Sequence, residues 1–291
     1  MHKHRWNALK LELRIEPQAP LLIKSGTTSP NPALPEMQFV RTMTPQGETL
    51  FIPGSSLKGV FRSFSEKVLR TVRSDFACDL FSSKSCGKKL EKEEDTAKVY
   101  RESCRACKIY GNTRLRGRLS FTDAFPDGEV KTETRYGVAI SRLTNAVAAG
   151  PFDIEVLVQG QFRTSLVLEN FEIWQLGLVA LTLHALNEGL VKIGFGKNRG
   201  FGEVKVNVIQ AIVEMAKRSG QPQNALWGVG AFVNEEERMA YGLSPDDKLE
   251  KLPEGKESDV GIFVRRIYGP ESWKNIADEA IASLKKFLEA K

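Results

Sequence analysis

The sequence is poor in the side chains that most enzymes use for chemistry. It has three histidines and four cysteines among 291 residues. His2 and His4 lie near the amino end, and His184 sits alone in an apolar stretch. No two histidines share a motif, and no HExxH, nucleophile-elbow or kinase signature is present. His184 therefore reads as a hydrogen-bonded core residue. No run of about 18 apolar residues exists, so no membrane-spanning helix is expected. The opening MHKHRWNALKLELRIE lacks the long apolar centre of a signal peptide. A cytoplasmic, reducing compartment follows, in which the four cysteines do not persist as disulfides. No GK[ST] ends a glycine-rich loop, so a Walker A phosphate loop is excluded.

What is present is ordinary globular material, 41% hydrophobic and 27% charged, enough for a sizeable core. The net charge of +6 tilts the chain toward a polyanionic partner. Residues 6–15 alternate, with Leu9, Leu11, Leu13 and Ile15 facing one way and Lys10, Glu12 and Arg14 the other. Residues 26–48 are rich in turn formers and read as a long loop. A helix begins at Ser55, capped by Ser55 or Ser56. Its apolar stripe is Leu57, Val60, Phe61, Phe64, Val68 and Val72, and Lys58, Arg62 and Ser65 occupy another face.

Residues 119–125 and 152–168 resume alternation, the second bent or hairpinned at Gly160. Residues 171–188 form a buried helix starting at Glu169 or Asn170 and ending at Gly189. An alternating strand of Val204, Val206 and Val208 follows. Residues 217–260 read as loops, and 273–290 as an amphipathic helix with Ile276, Ala280, Ile281, Leu284 and Leu288 on its apolar face. The order strand, helix, strand, strand, helix, strand predicts an α+β, ferredoxin-like (RRM-like) platform carrying insertions.

The cysteines are the most specific signal. Cys78, Cys86, Cys104 and Cys107 are spaced C-x7-C-x17-C-x2-C, and all lie within 30 residues. Two thiolates two residues apart can face one metal, and a distant pair completes a tetrahedron. A closed four-thiolate zinc would be structural and would hold a polar insertion lacking apolar residues for its own core. Free thiols or a redox pair are the alternatives, and the wide first pair suits an iron–sulfur cluster less well. From Arg73 to Arg118 there are 12 Lys or Arg and 7 Asp or Glu, so this stretch is basic as well.

Two further segments suit phosphate. In FIPGSSLKGVFRS, residues 51–63, a turn at Gly54 feeds a helix whose free N–H groups and positive dipole end sit beside Lys58 and Arg62. In GFGKNRGFG, residues 194–202, Gly194, Gly196, Gly200 and Gly202 expose backbone beside Lys197, Asn198 and Arg199. The bland alternatives are a plain capped helix and a flexible turn.

IPGSSLKGVFRS at 52–63, GFGKNRGFGEVKV at 194–206 and RYGVAISRLTNAVAAGPFDIEVLVQGQF at 135–162 together resemble the RAMP superfamily of CRISPR-associated proteins. The cysteine insertion after the first helix is similar to that of zinc-bearing backbone subunits of type III effector complexes. The resemblance covers roughly 8–208 and implies an RRM-like palm in two halves, 1–74 and 119–210. It implies a zinc insertion at 75–118, a protruding thumb at about 127–150, and a C-terminal extension at 211–291 with loops and a helix. It implies a guide-RNA-binding subunit without a small-molecule substrate. Its partners would be crRNA, complementary target RNA, other effector subunits and further copies of itself, packed through the palm and the helix near Trp273. Ser55, Ser56, Lys58, Arg62 and the residues Gly194, Gly196, Lys197, Asn198, Arg199 and Gly200 would grip guide phosphates, irrespective of base, with sequence left to base pairing.

Cleaving members of the family use a loop Asp with a divalent metal. Glu36 stands at that place, its carboxylate one carbon further out. The histidine that some relatives carry in the first loop is absent, and Leu22 is nearest. The alternative function is therefore an endoribonuclease that uses Glu36 with Mg²⁺ or Mn²⁺. A third reading is an unrelated zinc-ribbon RNA-binding or ribosome-associated protein.

Overall fold

A computed structural model describes residues 3–26 and 35–289. The first half runs β1 (Asn7–Pro17), β2 (Arg41–Thr44), β3 (Gly47–Leu50), α1 (Gly54–Val72), α2 (Cys86–Lys89), α3 (Thr96–Glu102), α4 (Arg105–Tyr110), β4 (Leu119–Phe121) and β5 (Phe125–Pro126). The second half runs β6 (Lys131–Ile140), β7 (Val147–Gln159), β8 (Phe162–Glu169), α5 (Ile173–Asn187), β9 (Val204–Ala216), β10 (Leu226–Trp227), α6 (Val229–Phe232), α7 (Glu235–Tyr241), β11 (Lys248–Leu249), β12 (Lys256–Val260), β13 (Phe263–Tyr268) and α8 (Pro270–Glu289).

The main sheet has seven strands, all paired antiparallel. Its order is β12-β13-β9-β1-β8-β4, with β5 also on β8. The period-2 pattern of β1 explains its central place: Leu9, Leu11, Leu13 and Ile15 are buried, and the polar residues between them are not. α1 and α5 pack with these strands into the main core. The bend expected at Gly160 is there, with φ +134°, separating β7 from β8. β7 pairs with β6 instead, forming a long hairpin. Ile154, Val156 and Leu157 at its base are buried, while Tyr136, Ile140, Leu143 and Val147 toward its end are exposed.

Several expectations need correction. The N-cap of α1 is Pro53, and neither serine caps it. Ser65, expected on a polar face, is buried and bonded to the Tyr110 hydroxyl at 2.7 Å, because the cysteine insertion covers that side of the helix. Val72 is exposed and Leu69 buried instead. The N-cap of α5 is Glu172, not Glu169 or Asn170, and it forms a capping box with Gln175. His184 is exposed on α5, not in the core. Of the 26–48 loop, residues 27–34 lie outside the described residues, and its end forms the β2–β3 hairpin.

The 217–260 stretch is not simply loop. It holds α6, α7 and short strands, and it shares a small second core with the insertion: Leu90, Val99, Tyr100 and Leu115 meet Val229, Val233 and Leu243. The insertion thus borrows the apolar residues it lacks. α8 lies on α5, where a Cβ on Gly177 would stand 2.2 Å from the Ala280 carbonyl oxygen. Trp273 near the start of α8 is buried. No described helix is long and apolar enough to cross a membrane.

Candidate metal centre and nucleic-acid interface

The four cysteines converge. Their sulfurs all lie within 4.8 Å of one another, and Cys78 and Cys107 approach to 3.7 Å. A tetrahedral zinc with Zn–S bonds of about 2.3 Å requires sulfur separations of about 3.8 Å. The helices supply the positions. Cys86 opens α2, Cys104 caps α4, and Cys107 lies one turn into α4. Backbone N–H groups of Cys78 and Cys107 point at the Cys104 sulfur, both at 3.4 Å, and the Cys104 N–H points at Cys86 sulfur at 3.2 Å. Donors aimed at sulfur stabilise thiolate.

Without a cation, burial and mutual repulsion oppose four thiolates. Cys86 is drawn down to about 4, because Cys104 and Cys107 hydrogen-bond to it. Cys107 is held well up, as the partner of Cys104 and Cys86 in a buried site. A divalent cation resolves this conflict, and the all-thiolate donor set fits zinc.

Arg62 belongs to this centre. Its Nη2 lies 3.9 Å from the Cys107 sulfur, its Nη1 donates to the Gly111 carbonyl at 3.3 Å, and its Nε donates to Glu66 at 2.8 Å. Burial works against its charge, but the Glu66 hydrogen bond and the negative potential of Cys107 hold its pKa above the usual value. Arg62 is thus turned to the cysteines. Lys58, next to it, is held below the usual lysine range by burial and by the Arg62 charge.

The start of α1 is also partly occupied. The Gly54 N–H donates to Asp123 Oδ1 at 2.7 Å, so a carboxylate of the chain already sits at the positive end of the helix. Ser55 is exposed and Ser56 half-buried. Asp123 thus shares the end of α1 with Ser55 and Ser56.

The glycine-rich loop does meet α1, further along the helix. A groove of about 470 Å³ runs between them. Ser63, Phe64 and Lys67 of α1 line one side, and Lys192, Lys197 and Asn198 the other. Lys197 is held below the usual lysine range by burial and then by the charge of Lys67. The loop is built to fit. Gly194 and Gly202 adopt φ of +77° and +83°, and a Cβ on them would stand 2.3 Å from the Leu22 oxygen and 2.0 Å from the Ile193 oxygen. Gly196 and Gly200 flank a 3₁₀ turn of Lys197–Arg199. Arg199 and Lys24 both lie over the Phe195 ring, at 5.9 and 6.0 Å from its centroid. Arg199 and the glycines thus shape the turn, while Lys197 and Asn198 face the groove. Lys67 and Lys192 were not singled out from sequence. Lys67 stands four residues beyond Ser63 on the helix, a spacing that places both on one side.

Glu36 is exposed at a bend and has no hydrogen bond or ion pair among the described residues. The segment after it is anchored to the hairpin base by a carboxylate the sequence did not reveal. Glu155 is buried and accepts from the Phe39 N–H at 2.9 Å and from both terminal nitrogens of Arg41. Burial opposes its charge, but Arg41 and Phe39 hold its pKa below the usual carboxylate value.

A comparison with curated proteins finds no match. A family model described as RAMP superfamily matches residues 14–205. That span takes in the end of β1, the cysteine cluster, the groove and the glycine-rich loop, and the chain belongs to the RAMP superfamily, whose members carry CRISPR-associated, RNA-binding roles.

Proposed function

We propose that this chain is the guide-RNA-holding backbone subunit of a type III CRISPR effector complex. The observation that carries the reading is the groove in which Lys67 and Lys197 face each other across α1 and the glycine-rich loop, with burial and then the charge of Lys67 making the charge of Lys197 less favourable. Unpaired cations that repel one another are relieved by a polyanion, and a phosphate backbone offers that at any sequence.

The sheet segment β9-β1-β8-β4, with α1 following β1 and α5 following β8, has the strand order of a ferredoxin-like palm, fourth-first-third-second. The β6–β7 hairpin would be the thumb, and the cysteine insertion a structural zinc module. In this reading Lys67, Lys192, Lys197 and Asn198 hold phosphates and Lys58 adds charge nearby. Arg62 acts through the metal centre. Ser55 and Ser56 contribute less than the sequence implies, with Asp123 beside them.

The test is purification of the native assembly and sequencing of its RNA. Co-purifying guides of varied sequence, lost in a Lys67→Ala/Lys197→Ala chain, are the expected result. An assembly without RNA contradicts it.

A second reading, cleavage of target RNA through Glu36 with Mg²⁺ or Mn²⁺, draws on the exposure of that carboxylate and its lack of a protein partner among the described residues. Regularly spaced cuts in complementary RNA that vanish on Glu36→Ala would establish it. Uncut RNA with the unaltered complex would exclude it.

A further inference from the structure

A second cationic cavity lies between α3, α7 and the segment following α4. It encloses about 420 Å³. Lys3, Arg114, Arg116 and Arg118 enter it, against Glu237 as the one carboxylate among its described lining residues. The arginines are held differently. Arg118 is buried, its guanidinium 4.3 Å from the centroid of the Tyr100 ring. Arg114 is anchored by donating to the Glu93 carbonyl at 2.8 Å. Arg116 is exposed and makes no hydrogen bond or ion pair among the described residues.

Two tyrosines wall the cavity: Tyr241 stands edge-on to Tyr100, with ring centroids 6.2 Å apart. Tyr100 is fixed from behind, because its hydroxyl donates to Glu172 and accepts from Gln175 at 3.0 Å. None of these residues lines the groove between α1 and the glycine-rich loop.

We propose that this cavity binds a nucleoside phosphate, either the phosphorylated end of an RNA or a free nucleotide. Lys3, Arg114 and Arg116 converge here against one described lining carboxylate, which favours an anion, and guanidinium groups match phosphate oxygens in pairs. The size goes beyond a bare phosphate: cavities of roughly 300–1,000 Å³ take whole small ligands. Tyr100 is buried under the Arg118 guanidinium, and the half-buried Tyr241 beside it supplies the apolar surface against which a base can lie. This is a different task from that of the groove, which grips a continuous backbone, and it does not depend on the groove reading.

The experiment is calorimetric titration of the full chain with 5′-AMP, adenosine and inorganic phosphate. It is paired with binding of one short RNA made with a 5′-phosphate or a 5′-hydroxyl. AMP is expected to bind more tightly than either fragment. Arg116→Ala should weaken AMP about tenfold or more, the loss of one charged hydrogen-bonding group. Arg116→Lys should fall between. If the 5′-phosphate strengthens RNA binding in the parent but not in Arg116→Ala, the ligand is an RNA end. If AMP binds and the RNA end makes no difference, it is a free nucleotide. AMP that fails to bind, binds no better than phosphate, or binds Arg116→Ala and Arg116→Lys as well as the parent overturns the proposal.

Discussion

Arg62 shows how the charge of one side chain is put to use. Sequence spacing places it with Lys58 on a basic helix face, and the fold turns it to the cysteine cluster. There it would offset the net negative charge that four thiolates bring to a divalent metal bound among them. Groups around a metal's ligands typically contribute 10–100-fold in metal affinity. Arg62→Ala is therefore expected to lower zinc affinity by about that factor, read by chelator competition, while one zinc per chain still binds at saturation. An unchanged affinity contradicts this role.

Gly202 makes the complementary point. Its φ of +83° and the nearby Ile193 oxygen leave no room for a Cβ. Gly202→Ala should cost about 1–3 kcal/mol in denaturant unfolding, and a neutral effect would contradict the geometry. At this scale the sequence was legible where identity alone decides: four cysteines, glycines around a cationic turn. It was not legible where a partner decides. Asp123 reaches the Gly54 N–H from 69 residues away, and Glu155 meets Arg41 from 114 away. No local pattern announces either.

The elements were read well where a period is strong, as in β1 and α8, or where an apolar run is long, as in α5, which is buried nearly all round. They were misread where an insertion covers a face. α1 has a polar side that looks solvated in sequence, yet Ser65 and Arg62 on it are covered by α4 and the cysteines. Likewise 217–260 looked like loops because its elements are short and their apolar residues pack on distant parts of the chain, Val229, Val233 and Leu243 on the insertion and Leu226, Phe232 and Leu249 in the main core.

Asp247 ties these short elements to α5. Its two oxygens accept from the Ile173 N–H at 2.7 Å and the Gly230 N–H at 3.0 Å. Burial, and then the nearby charge of Glu172, push it up to about 7, against these hydrogen bonds and the charge of Arg118. The folded chain thus holds a proton here that the unfolded chain, with its carboxyl near 3.8, has released. Stability from this group is fully present at low pH and lost as pH rises through about 7. Between pH 5 and 8, Asp247→Asn should show a smaller loss of unfolding free energy than the parent. Equal losses in urea titrations contradict the assignment.

Across the whole molecule, the sheet brings together segments far apart in sequence. β1 sits between β8 and β9, so α1 and the loop before β9 end as neighbours although more than a hundred residues separate them. That juxtaposition makes the groove. Motif order hinted at it and the glycine-rich motif pointed to Lys197, but Lys67, which faces it, emerged only from the packing. Single-stranded nucleic acid binding loses about 0.7 in its logarithmic salt slope per cationic contact removed.

The most direct measurement is the salt dependence of affinity for two single-stranded RNAs of unrelated sequence, using the parent chain and Lys67→Ala/Lys197→Ala. The account predicts equal affinity for both RNAs and, in the variant, weaker binding to both with a slope shallower by about 1.4. A variant with the parent's affinity and slope, or one that loses binding to one sequence alone, would contradict it.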